Sequence, residues 1–63
     1  MTLASLIKLI PDFQTIEIIS GSRLIAGQLS SIKSGIKPEW CNCDVLEVCA
    51  YQDIFKIWID GNF

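Results

Sequence analysis

Sixty-three residues allow one hydrophobic core and leave no room for a second. Seven acidic against five basic residues give a formal charge of −2 and an isoelectric point of about 4.7, which argues against a binder that works by neutralising nucleic-acid phosphates. The chain is 51% apolar with a mean hydropathy of +0.44, a composition opposed to disorder.

Met1 to Ile10 predicts a helix. Thr2 can cap it, its hydroxyl accepting a bond from an orphan N–H of the first turn. Leu3, Leu6, Ile7 and Ile10 follow the helical i, i+3, i+4, i+7 spacing and make one apolar stripe, with Ala4, Ser5 and Lys8 turned away. Pro11 stops the helix, because the residue before a proline is pushed out of α geometry. Gln14 to Ser20 then reads as a strand, Ile16 and Ile18 alternating with Thr15 and Glu17. Gly21-Ser22 marks a turn, and Leu24 to Ile32 reads as a weaker second strand, diluted by Gly27 and serines. Lys33 to Asp44 is irregular, with one short helical turn expected at Pro38-Glu39-Trp40, where Pro38 suits the first helical position. Val45 to Tyr51 and Ile54 to Asp60 are the third and fourth strands, joined through Gln52-Asp53, and Gly61 closes the sheet. The expected fold is α+β in one domain: an N-terminal helix packed on a small, mostly antiparallel sheet of about four strands, in an order the sequence leaves open.

Strand periodicity assigns faces. One face collects Ile16, Ile18, Leu46, Val48, Phe55, Ile57 and Ile59, a core for the helix stripe to cover. The other carries Glu17, Glu47 and Lys56, but also Ile19, Val45, Cys49, Tyr51, Ile54 and Trp58. One helix cannot cover both. Either the segment from Lys33 to Asp44 folds back over the second face with Trp40 as its plug, or that face meets a partner. The second reading is preferred, because a core this small rarely supplies more than about 3–5 kcal/mol and short chains often gain stability by associating. Ile19, Tyr51, Ile54, Trp58 and Trp40 are then the candidate interaction residues, the aromatics being the types that carry energy at interfaces.

Candidate chemistry is sparse. Cys41, Cys43 and Cys49 could offer three thiolates to zinc with Asp44 as a fourth ligand. The one-residue gap between Cys41 and Cys43 and the lack of histidine depart from the usual zinc spacing, so a cysteine-dependent metal module is kept as an alternative and no cofactor is expected. The ordinary role of free cysteines is that of small hydrophobes. No carboxylate falls beside a base or orienting group, and histidine, the commonest acid–base residue near neutral pH, is absent, so no catalytic residue is assigned. Gly21-Ser22-Arg23 reads as a turn and not an anion site, and Lys33 with Lys37 is too little for a basic patch. No membrane span is expected, since the longest uncharged run, Leu24 to Ile32, falls far short of the ~18 residues required. Leu3 to Ile10 is too short for a signal core and is interrupted by Lys8, so a reducing cytoplasm is the expected compartment.

The opening run from Thr2 to Ile18, with its short helix, Pro11-Asp12 break and Ile16-Glu17-Ile18 strand, resembles short proteins encoded by phages and integrated elements of Gram-positive bacteria. Pro38-Glu39 and the two closing strands are similar in order, whereas the cysteine-rich segment Trp40–Asp44 departs from that pattern. The resemblance implies a genetic setting and no catalytic residues. Small acidic proteins of that setting often bind and block a host protein, as anti-CRISPR and other counter-defence proteins do. The expectation is therefore a non-enzymatic interaction protein, self-associating as a dimer or binding a host protein in the host cytoplasm. Alternatives are the cysteine-dependent metal module and a structural or accessory phage protein.

Overall fold

The computed structural model describes residues 1–61. Its first helix, α1, runs Leu3–Ile7, capped by Thr2, whose hydroxyl oxygen accepts from the Ser5 N–H at 3.3 Å. The helix is shorter than the apolar stripe. Beyond Lys8 the chain tightens into two three-residue closures, Leu9 N–H to Leu6 C=O and Ile10 N–H to Ile7 C=O, before Pro11 forbids more. That tightening still returns Ile10 to the core beside Leu3 and Ile7.

Strand β1 is Thr15–Ser20 and β2 is Arg23–Gln28, joined by a turn in which Gly21 takes φ 60°. The expected second strand is thus too long. At Gln28 the chain leaves the sheet: the Leu29 and Ser30 N–H groups turn back to the Gln14 and Asp12 carbonyls, both at 2.9 Å. Leu29–Ile32 becomes helix α2, with Leu29 fully buried, and a 3₁₀ turn over Lys33–Gly35 follows. Helix α3, Pro38–Cys41, starts with Pro38 in its first turn, as its fixed φ favours. Strands β3 (Val45–Tyr51) and β4 (Ile54–Ile59) complete the chain, their hairpin turning on Gln52 at φ 55°.

The sheet order is β2-β1-β4-β3. Both hairpins are antiparallel and the central pair, β1 with β4, is parallel. The architecture is α+β with a mixed sheet. Parallel neighbours need a long crossover, and residues 29–44 provide it, carrying the chain from the β2 edge to the β3 edge. At the far edge the crossover is tied to the N-terminus, where Leu3 N–H donates to Cys43 C=O (2.9 Å) and Val45 N–H to Met1 C=O (2.8 Å).

Every buried apolar side chain of the sheet lies on one face. Ile16, Ile18, Ile57 and Ile59 pack with Leu3, Ile7, Ile10, Leu29, Ile36 and Trp40 in a single cluster. The crossover therefore covers the same face as α1, not the opposite one. Trp40 is 4% exposed inside this core, so it is no interaction-surface residue and does not plug the second face. Two expected core positions also fail. Val48 is 48% exposed because it lies on the edge strand β3, and Leu46, 65% exposed, is the unpaired residue of a bulge. This bulge between Val45 and Glu47 shifts the alternation, so Val45 sits opposite Ile59 and packs against the core instead of joining the other face. Ser20, fully buried, donates its hydroxyl to the Gly61 carbonyl at 2.9 Å.

Gly27 pairs with Ile16 at φ 148°, and a Cβ added there would lie 2.9 Å from Cγ2 of Ile32. The strand-to-helix exit of β2 thus depends on a residue without a side chain. Gly27→Ala is expected to cost about 1–3 kcal/mol in urea unfolding, whereas Gly35→Ala, with open space around the added methyl, should leave the midpoint nearly unchanged.

Candidate functional site: the uncovered sheet face

The face opposite the helices is built by alternation alone. In β1 the residues pointing away from the core are Thr15, Glu17 and Ile19; in β4 they are Ile54, Lys56 and Trp58. Pairing aligns them with both edge strands into three rows across the sheet. The first is Gln28–Thr15–Ile54–Tyr51, the second Ala26–Glu17–Lys56–Cys49, the third Leu24–Ile19–Trp58–Glu47. No described helix lies over these rows, since all helical core residues belong to the other side.

Four expected interaction residues are thereby brought together. Ile19 and Trp58 are direct neighbours in the third row, and Ile54 and Tyr51 in the first. Leu24, 58% exposed beside Ile19, extends the apolar third row and was missed in the sequence reading. Its alternation with Ile25, which packs on the core, is the signal that marks it.

The middle row is charged. Lys56 Nζ lies 3.9 Å from Glu17 Oε2 and 5.6 Å from the Tyr51 ring centroid. Pairs of this kind are worth about 0–1 kcal/mol when solvent reaches them, so the ion pair is a minor term in stability. Its consequence is spatial: a plus and a minus charge sit side by side at the centre of the face, between the apolar pairs Ile19–Trp58 and Ile54–Tyr51.

The cysteines do not form one site. Cys41 and Cys43 pack against the core on the helical side, whereas Cys49 is exposed on the open face opposite Lys56. Among the described residues no three His, Cys, Asp or Glu side chains are grouped to hold a metal ion. Cys43 donates its thiol to the Glu39 carbonyl at 3.1 Å. Burial, with the carboxylates of Asp60, Asp44 and Glu39 nearby, pushes its pKa above the usual thiol value. A concavity of about 410 Å³ lies at the β2 edge, where Arg23, Lys37 and Glu39 surround one side of Trp40. It mixes both charge signs and holds no nucleophile beside a base.

Among the described residues no helix is long and apolar enough to cross a membrane. No family model, curated protein or solved structure matches the chain.

The thiols should therefore separate in reactivity. With iodoacetamide at mildly alkaline pH, peptide mass mapping is expected to show Cys49, the exposed thiol, modified first and Cys43 last, since attack needs the thiolate and burial with nearby carboxylates disfavours it at Cys43. Equal rates at the three positions would contradict this placement.

Proposed function

We propose that this chain is a non-enzymatic protein-interaction module and that the open face of its sheet is the surface that binds. One observation carries the reading: all the described helices pack on one side, leaving Leu24 and Tyr51 exposed and Ile19, Trp58 and Ile54 half-buried with no described helix above them. Apolar side chains left open on both sides of a central ion pair are a pattern that marks interaction sites. Trp and Tyr are the residue types most often found at the energetic centre of such surfaces. The resemblance of residues 2–18 to phage and mobile-element proteins adds the setting, in which the bound protein is a host protein and binding blocks it, as in anti-CRISPR or other counter-defence systems, within the host cytoplasm.

The test is comparative capture from a lysate of the source organism. A protein retained by the wild type should be lost with Trp58→Lys, whose side chain lies on the open face. It should be kept with Lys8→Glu, which is exposed at the end of α1 on the helical side. Loss of at least about ten-fold in retained protein corresponds to 1.4 kcal/mol or more of binding energy. Equal capture by wild type and Trp58→Lys, with both folded by circular dichroism, would remove the open face from the interaction.

A further inference from the structure

We propose, resting on the reading of the open face as a binding surface, that when no host protein is bound its occupant is a second copy of this chain, seated face to face about a two-fold axis running parallel to the strands between β1 and β4. Two sheets packing this way keep their strands within about 30° of one another. A rotation about such an axis leaves each cross-strand row at its own height and reverses its order. The row Ala26–Glu17–Lys56–Cys49 then meets itself reversed, so Glu17 lies over the second copy's Lys56 and Lys56 over its Glu17. In the same operation Ile19 lies on the second copy's Trp58 and Trp58 on its Ile19, while at the rim of that row Leu24 meets the second copy's Glu47, whose carboxylate stays in solvent. Thr15 lies on Ile54, and the Gln28 amide meets Tyr51.

The other in-plane two-fold axis, across the strands, gives the opposite result. Each strand then lies over its own copy, Glu17 against Glu17 and Lys56 against Lys56, and the apolar Ile19 over Thr15. Like charges brought together in this way are strongly disfavoured, so charge permits only one of the two symmetric packings. The parallel register of β1 and β4 creates this property, because it places Glu17 and Lys56 at one height on either side of the sheet's midline. Strands about 4.8 Å apart and residues about 3.3 Å apart make the face about 19 by 20 Å. Two such faces cover about 760 Å² in total, below the roughly 1,000 Å² that a stable specific interface clears, so the dimer is weak and forms only at high protein concentration.

The register is tested by mixing wild-type protein with a Glu17→Lys/Lys56→Glu double variant. The two have identical mass, so one is isotope-labelled, and dimers are counted by native mass spectrometry. Each protein is expected to dimerise with itself. Mixed dimers would set glutamate against glutamate and lysine against lysine, and should fall about ten-fold below their statistical share. Mixed dimers at or above that share would overturn the proposed axis. Trp58→Lys should abolish the dimer with the far-ultraviolet circular dichroism unchanged. A dimer that survives Trp58→Lys and is lost with Val48→Lys would put the interface at the β3 edge and overturn the proposal. A wild type that stays monomeric up to near-millimolar concentration would overturn self-association alone, since capture of a different protein through Trp58 is measured independently.

Discussion

The parallel pairing of β1 with β4 governs how this small chain is arranged. Two antiparallel hairpins could lie side by side in several orders, but joining them through β1 and β4 puts β2 and β3 at opposite edges and obliges the connection between those two to cross the whole sheet. Residues 29–44 make that crossing, and they make it over the face that α1 already occupies, where Leu29, Ile36 and Trp40 share a core with Leu3 and Ile7. Helical material that might have been divided between two faces is concentrated on one. The dense side and the bare side of the sheet are thus two results of one topological choice.

That concentration suits the size of the chain. A domain this short has a marginal core, and spreading its few large apolar residues over two thin layers would leave neither well packed. Gathered on one side, Ile16, Ile18, Leu29 and Ile57 reach full burial, and Ser20 is buried with its hydroxyl satisfied by the Gly61 carbonyl. The bare side keeps apolar residues that a purely structural surface would exchange for polar ones. An association that covers them would also stabilise the fold, since anything that binds only the folded state shifts the folding equilibrium towards it. On the proposed reading, binding and stability draw on the same side chains.

Strand alternation made much of the site legible in advance. Ile19, Ile54, Tyr51 and Trp58 fall on a common face because successive side chains in β1, β3 and β4 point to opposite sides, a rule that needs no knowledge of strand order. The rule failed at Val45, where a bulge inserts a residue and reverses the alternation, and such an insertion has no local signature in Val45-Leu46-Glu47. It failed differently at Val48, which is paired with Ile57 on the core side but sits on an edge strand, and at Leu46, the unpaired residue of the bulge, which is exposed. Trp40 was the largest error. An aromatic in an irregular segment can cover either face of a sheet, and its short helix gives no indication of which.

The sequence by itself determined the α+β class, the capped N-terminal helix stopped by Pro11, both hairpins and most of the facial assignment of the strands, because each of these follows from local propensity or a two-residue period. Only the tertiary structure decided the strand order, the side on which the crossover packs and the row-by-row alignment that sets Glu17 beside Lys56. These depend on contacts between residues far apart in the chain, such as Met1 with Val45 and Thr15 with Ile54. Their energies come from burial and long-range pairing, to which no local window of sequence has access.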